Sequence, residues 1–182
     1  MTKTSNAFLP EGYEPPQGTS SYMRLQSGEN KFRILSSPII GWLDWEDKKP
    51  FRYPMNKKPA FPADPDRPIK HFWAMAVWNY AEKAVQVLEI TQVTIQKRLS
   101  ELSNDGDWGS PFGYDIKVTK TGEKMLTEYS VTAVPHKELT EEIVQAKKEK
   151  PVYLEALFVN GDPFAPPHVE EVATNGKKKA KF

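Results

Sequence analysis

The stretch Lys70-His71-Phe72-Trp73-Ala74-Met75-Ala76-Val77-Trp78-Asn79-Tyr80 is rich in aromatic residues and predicts a β-strand. A second run rich in Val, Leu and Ile, residues 84–91, follows the short link Ala81-Glu82-Lys83. Two such runs joined by so few residues are typical of a hairpin. We therefore predict a hairpin that pairs residues 71–80 with residues 84–91.

Three further strands are predicted around this hairpin. Segments 29–35 and 39–45 read as one long strand, bent where Ser36-Ser37-Pro38 and Gly41 interrupt it. Segments 115–119 and 127–133 form a second hairpin with its turn near residues 121–123.

Helix signals occur at two places. Thr91 is the predicted N-cap of a helix that buries Ile95, Leu99 and Leu102 and stops at residues 104–106. Thr140 is the predicted N-cap of a second helix, which Pro151 ends. The apolar segment 152–159 is expected to pack back on the domain as a strand or a helix.

The order of these elements predicts a mainly β fold with helices. A long bent strand, a hairpin, a helix and a second hairpin match the OB-fold, a five-stranded Greek-key barrel with its helix between strands 3 and 4. We assign residues 1–22 to a flexible N-terminal arm and residues 23–160 to the domain, with a C-terminal helical extension over 139–159. Residues 161–182 are expected to form a flexible tail, which ends in the basic sequence Lys177-Lys178-Lys179-Ala180-Lys181-Phe182.

Composition argues against several classes of protein. The 182 residues include no cysteine, and the three histidines are far apart in sequence and match no metal-ligand spacing. We find no enzymatic motif and expect no cofactor. Because no apolar run is long enough to span a membrane and the N-terminus lacks a secretory signal, we expect a soluble cytoplasmic protein that does not bind membranes.

Positive charge is concentrated in one region, although the net charge is only +1. Residues 46–70 are proline-rich and without periodicity, which predicts a long loop. Between residues 48 and 70 there are seven Lys or Arg against two acids, whereas residues 136–171 hold four Lys against eight acids. Phe51, Tyr53 and Phe61 are interleaved with the loop cations. Cations for phosphates beside rings for bases are typical of proteins that bind single-stranded nucleic acid.

Alternation along the strands assigns side chains to faces. Phe32 and Ile34 are expected to fill the barrel, which would turn Lys31 and Arg33 outward. On the aromatic strand we assign Trp73, Met75 and Val77 to the core and the opposite side to ligand; of Trp42 and Trp45, one is expected in the core and one exposed. The predicted nucleic-acid-binding residues are Lys31, Arg33, Trp45, Lys48, Lys49, Arg52, Tyr53, Lys57, Lys58, Lys70, Phe72, Trp78 and Tyr80.

Several segments resemble the single-stranded DNA-binding proteins of tailed bacteriophages. They are residues 22–35, 70–74, 77–80, 88–92, 114–116 and 129–131, so the resemblance covers about residues 22–135. It implies an OB-fold protein that coats and protects single strands, with little sequence preference, in phage replication, recombination or repair. Members of this family usually end in an acidic tail that recruits replication partners, whereas this chain ends in lysines.

Two other functions remain open at this point. The aromatic loop could serve an interaction protein that modulates a host enzyme, or the domain could bind RNA, since stacking and phosphate contacts do not separate RNA from DNA. Single-stranded DNA is the expected partner, with replication or recombination proteins as further partners. The oligomeric state, including cooperative self-association on DNA, is left open.

Overall fold

The computed structural model describes residues 20–167 as a mainly β protein with one seven-stranded antiparallel sheet. The strands are β1 (Gly28–Ile34), β2 (Ile39–Glu46), β3 (Lys49–Pro54), β4 (Lys70–Asn79), β5 (Ala84–Ile90), β6 (Asp115–Thr121) and β7 (Glu128–Ala133). The α-helices are α1 (Val93–Asn104) and α2 (Glu141–Glu149), and a 3-10 helix follows at Leu154–Val159.

Strand β4 is the centre of the sheet. One of its edges pairs with β5, as the predicted hairpin requires, and the other pairs first with β2 and then with β1. Between the segments of β4 that pair with β2 and with β1, the Leu35 amide donates to the Ala76 carbonyl at 2.9 Å. β1 and β2 therefore act as one long strand with a break at residues 36–38, which is the bent strand that the sequence predicts.

The inner face of β4, defined as the side that bears Met75 and Val77, lies against the main core. Both side chains are buried together with Phe32 and Ile116. Helix α1 covers this core with Ile95, Leu99 and Leu102, the three positions predicted from the sequence. Among the described residues β5 and β7 are not paired, so the sheet is open and has seven strands instead of five.

The outer face of β4, the opposite side, is covered by the C-terminal part of the chain. Phe72 packs against Leu154 and Leu157 of the 3-10 helix, and Trp78 packs against Ile143 of α2. Phe72 and Trp78 are both buried. Their assignment to an open ligand face is therefore wrong, because parity alone could not show that residues 139–164 lie over this side of the sheet.

The segment predicted as a long loop contains a strand. β3 pairs with β2 through a two-residue turn at Asp47 and Lys48, which have φ angles of 49° and 63°. Such a turn is normally signalled by Asn-Gly or Asp-Gly, and that signal is missing here. Pro50 and Pro54 also argue against a strand, but β3 lies at the sheet edge, where proline is tolerated. The loop is limited to residues 55–69.

The ends of the domain extend further than predicted. Tyr22, assigned to the arm, bridges to Val87 of β5, and the Val87 amide donates to the Ser21 carbonyl at 2.9 Å. Pro163 is buried, and Phe164 packs on the buried cluster around Phe72 and Leu157, which we call the outer-face core. The flexible tail therefore does not begin at residue 161. Residues 1–19 and 168–182, which include the terminal lysines, lie outside the described residues.

The two helix starts differ in how they are capped. Gln92, not Thr91, is the N-cap of α1, and no side-chain hydrogen bond caps that helix. The Thr140 side chain accepts from the Ile143 amide at 3.5 Å, so the cap predicted for α2 is confirmed.

We predict that residues 154–159, which cover the outer face of β4, stabilise the folded sheet. Replacing the buried Leu157 by alanine leaves a cavity against Phe72 and Val87 and should cost about 2–5 kcal/mol of unfolding free energy. Val159→Ala, a change at an exposed position in the same 3-10 helix, is the matched control and should cost less than about 0.5 kcal/mol. Equal effects in urea denaturation would show that residues 154–159 do not stabilise the sheet.

Candidate nucleic-acid interface

A row of aromatic rings crosses the inner face where β2, β3 and β4 meet. Trp42 of β2 lies directly opposite Tyr53 of β3 on one side and His71 of β4 on the other. Trp73 follows His71 on the same face of β4. We call these four residues the aromatic row. All four side chains are half-buried, so each keeps part of its surface open.

Hydrogen bonds fix the orientation of three of these rings. The Trp42 Nε1 donates to the Met55 carbonyl at 3.2 Å, and its ring centroid lies 5.2 Å from that of His71. His71 Nε2 lies 3.3 Å from the Trp73 Nε1, and His71 Nδ1 lies 2.8 Å from the Gly41 carbonyl. Since the indole can only donate, Nε2 accepts from Trp73, and Nδ1 is the nitrogen that donates to the Gly41 carbonyl. The row is therefore oriented before any ligand arrives.

One of the loop lysines contacts this row. Lys58 Nζ lies 4.2 Å from the Trp42 ring centroid, a distance suited to a cation–π contact. The predicted site lysines of this region are all exposed: Lys48 and Lys49 at the β2–β3 turn, Lys57 and Lys58 after β3, and Lys70 at the start of β4. The structure thus places Lys58 on the ring that lies opposite the predicted ring Tyr53, whereas Lys70 shares the outer side of β4 with Phe72.

Two predicted residues of this region are engaged elsewhere. The Arg52 guanidinium forms a 2.6 Å ion pair with Glu89, and both side chains are mostly buried. Trp45 points to the opposite side of β2 from Trp42, where it packs on the outer-face core and lies 4.3 Å beneath the Arg67 guanidinium. Trp42 and Trp45 are both half-buried, so neither is fully core nor fully exposed, contrary to the parity argument.

A second charged cluster lies at the far end of β4. Arg33 is only 1% exposed, so the prediction that it faces outward is wrong. Its Nη1 donates to Asp115 Oδ1 at 3.1 Å and its Nε donates to the Phe112 carbonyl at 3.0 Å. Tyr80 Oη also donates to Asp115 Oδ1, at 2.8 Å. This geometry commits the buried Arg33 guanidinium and the Tyr80 hydroxyl to the Asp115 carboxylate, while the half-buried Tyr80 ring lies 4.6 Å from Lys31 Nζ.

The Asp115 carboxylate has more positive than negative charge around it. Its Oδ2 has no hydrogen-bond partner within residues 20–167, but Lys137 Nζ approaches to 3.5 Å and Lys31 Nζ to 3.7 Å. Burial by itself would raise the pKa of Asp115, but hydrogen bonds from Tyr80 and Arg33 outweigh it and hold that pKa below the ordinary 3.8. Burial, and then the bond to Asp115, raises the pKa of Tyr80 to about 12.

The two groups of predicted residues are far apart. His71 and Tyr80 are separated by nine positions of extended chain, which is about 30 Å at the rise of a strand. Lys31 and Tyr80 therefore do not join the aromatic row and its lysines. Sequence reasoning missed Trp42, His71 and Trp73 as members of the row; the signal that would have found them was the register of β3, which fixes Tyr53 opposite Trp42.

Comparisons of this chain with protein-family models, curated proteins and solved structures give no match. Within residues 20–167, no helix is long and apolar enough to cross a lipid bilayer.

We predict that Asp115 is essential to the far-end cluster. Asp115→Asn leaves Arg33 buried without its counter-charge and should lower the unfolding free energy at pH 7 by about 3–5 kcal/mol. The control is Glu101→Gln, which breaks the exposed Arg98–Glu101 pair and should cost less than about 1 kcal/mol.

The pH dependence of this effect has a defined sign. Because the folded pKa of Asp115 lies below the unfolded one, its contribution is fully present well above pH 3.8 and is lost as pH falls through the folded pKa. The stability difference between wild type and Asp115→Asn should therefore shrink in acid. A difference that stays constant from pH 7 to pH 2 would contradict this account of the cluster.

Proposed function

We propose that the protein binds single-stranded DNA, with little sequence preference, along the aromatic row and the lysines around it. The observation that carries the proposal is the cross-strand set Tyr53–Trp42–His71 with Lys58 held 4.2 Å from the Trp42 ring. Every base presents a π-face, so such rings accept any sequence, while the lysines can neutralise neighbouring phosphates.

The strand connections support an OB-type fold as part of the proposal. β1 and β2 together would be strand 1, β4 and β5 strands 2 and 3, and β6 and β7 strands 4 and 5, with α1 between strands 3 and 4 as that fold requires. β3 is then an extra strand formed by the loop between strands 1 and 2. The seven-stranded open sheet would be a barrel whose gap between β5 and β7 is filled by α1.

This assignment changes the expected path of the DNA. An OB-fold ligand would cross the outer face of strands 2 and 3, but here Phe72 and Trp78 of that face are buried under residues 139–164. The inner side of the β2–β3 hairpin is the surface where rings and exposed lysines occur together. We therefore propose that the strand runs over this hairpin.

The biological setting rests on the resemblance to phage proteins. It extends the proposal to a protein that coats and protects single strands during phage replication, recombination or repair in the host cytoplasm. Replication or recombination proteins would be its further partners, and the proposal includes self-association of the protein on DNA.

A protein-binding function is the alternative that one observation favours. Phe61 is 82% exposed in the loop 55–69, and Met55 beside Trp42 is also exposed, as expected of a hot spot for a protein partner. Salt dependence separates the two functions, because only binding to phosphates should weaken steeply as salt rises. RNA binding is separated by comparing oligo-rU with oligo-dT.

The direct test measures fluorescence anisotropy with labelled oligo-dT, oligo-rU and a random duplex at about 0.15 M salt. We expect oligo-dT to bind tighter than the duplex and its affinity to fall steeply with salt. Equal or tighter binding to duplex would refute the proposal, and tighter binding to oligo-rU would redirect it to RNA.

The rings of the row should each contribute to binding. Trp42→Ala and Tyr53→Ala should each weaken binding to oligo-dT by about 1–3 kcal/mol, because each removes a stacking surface. Tyr153→Ala, which removes a partly exposed ring far along the chain, is the control and should leave the affinity unchanged. Loss of affinity in all three variants would point to a general effect on the fold.

The loop lysines should determine the salt dependence. Replacing Lys57 and Lys58 together by glutamine should flatten the plot of log affinity against log salt by about 0.7 for each phosphate that is no longer neutralised. Lys147 and Lys148, an adjacent exposed pair on α2, give the matched double variant, for which we expect an unchanged slope. Equal slopes for the two double variants would contradict the assignment of the loop lysines to phosphate.

A further inference from the structure

A cavity of about 280 Å³ opens beside the aromatic row, between the break in the long strand and helix α1. Its apolar wall is formed by the buried side chains of Ile34, Met75 and Leu99. Trp73 lines the cavity and also belongs to the row through its hydrogen bond to His71. We call this cavity the Trp73 pocket. The row therefore leads directly into it.

The rim of the pocket is polar but carries no charge. The polar residues of this rim are Ser37, Ser100, Ser103 and Asn104, and among residues 20–167 no ionised side chain lines the cavity. None of the hydrogen bonds found within residues 20–167 uses these four side chains. A rotatable hydroxyl can donate or accept, and an amide does both, so the rim can pair with polar edges of different pattern.

A second ring also lines the pocket. Phe112 lines the pocket and is 45% exposed. Its carbonyl accepts from Arg33 Nε at 3.0 Å, so the buried Arg33–Asp115 pair anchors the segment that carries this ring. The pocket thus has two aromatic side chains in its lining: Trp73 packs on the main core, and the backbone that carries Phe112 is held by Arg33.

We propose that the Trp73 pocket takes one unstacked nucleobase of a bound single strand, an inference that rests on the proposed function. The volume lies just below the usual range for small-molecule sites, about 300–1,000 Å³, and so suits one ring and not several nucleotides. A neutral lining suits a base and not a phosphate, which the lysines of the neighbouring hairpin would bind instead. Two rings and several neutral donors and acceptors in the lining are features that can recognise an extruded base.

This geometry divides the interface into two parts with different roles. Bases stacked on Trp42 and Tyr53 remain on an open surface, whereas a base inside the pocket is enclosed and contacts Trp73. The enclosed base fixes the register of the strand along the row. Because the rim hydroxyls can rotate, the pocket holds a base without strict selection for one of the four.

The test fills the pocket from helix α1. Ser103→Phe places a ring in the cavity from an exposed helical position, and Thr94→Phe makes the same type of change on α1 at an exposed position that does not line the cavity. Each protein is titrated with oligo-dT and with an abasic oligomer of equal length and charge. The abasic oligomer retains the phosphates and lacks the bases.

We expect Ser103→Phe to weaken binding to oligo-dT about 10-fold, the loss of one stacked base, without changing binding to the abasic oligomer. Thr94→Phe should bind both like wild type. In addition, an oligomer containing 5-iodouracil should photocrosslink to Trp73 or Phe112 in wild type, and this crosslink should disappear in Ser103→Phe.

Two results would overturn the inference. Unchanged oligo-dT binding by Ser103→Phe would mean that the cavity has another occupant, such as a side chain of a protein partner. An equal loss with oligo-dT and the abasic oligomer would mean that the substitution disturbs phosphate binding instead. If wild type itself fails to bind oligo-dT, the proposed function fails as well; if wild type binds and only the pocket results are negative, the proposed function survives.

Discussion

The whole structure depends on β4 being hydrogen-bonded along both edges while its two faces are covered by different layers. Helix α1 and the main core cover the inner face at Met75 and Val77, and the C-terminal segment covers the outer face at Phe72 and Trp78. Both edges and most of both faces are thereby used in folding. His71 and Trp73, at the start of the inner face of β4, remain partly open. Trp42 of β2 and Tyr53 of β3 lie beside them and complete the aromatic row.

The β2–β3 hairpin adds further rings and lysines to this partly open part of the inner face. Its register sets Tyr53 beside Trp42, its turn exposes Lys48 and Lys49, and the chain that leaves it carries Lys58 onto the Trp42 ring. At the other end of β4, positive charge serves folding instead, because Arg33 is paired with Asp115. Burial therefore distinguishes two groups of cations: Arg33 is buried and paired, whereas Lys48, Lys49 and Lys58 are exposed.

Much of the fold could be predicted from local pattern. The hairpin of β4 and β5, the long strand broken at Pro38 and the buried face of α1 follow from alternation and helical spacing. β3 could not be predicted, because its turn residues Asp47 and Lys48 adopt positive φ without glycine. Parity could show that Phe72 and Trp78 share a side of β4, but which side is covered depends on residues 139–164, a contact distant in sequence. Arg33 was misassigned for the same reason, since its partner Asp115 lies 82 positions away.

The most direct measurement of where DNA lies is hydrogen–deuterium exchange of backbone amides with and without saturating oligo-dT. The account predicts slower exchange in β2, β3 and the first residues of β4, and unchanged exchange over residues 139–164, which stay packed on the outer face. Faster exchange over 139–164 on DNA binding, together with no protection of the β2–β3 hairpin, would contradict it. Such a result would mean that DNA displaces the C-terminal cover and binds the opposite side of the sheet.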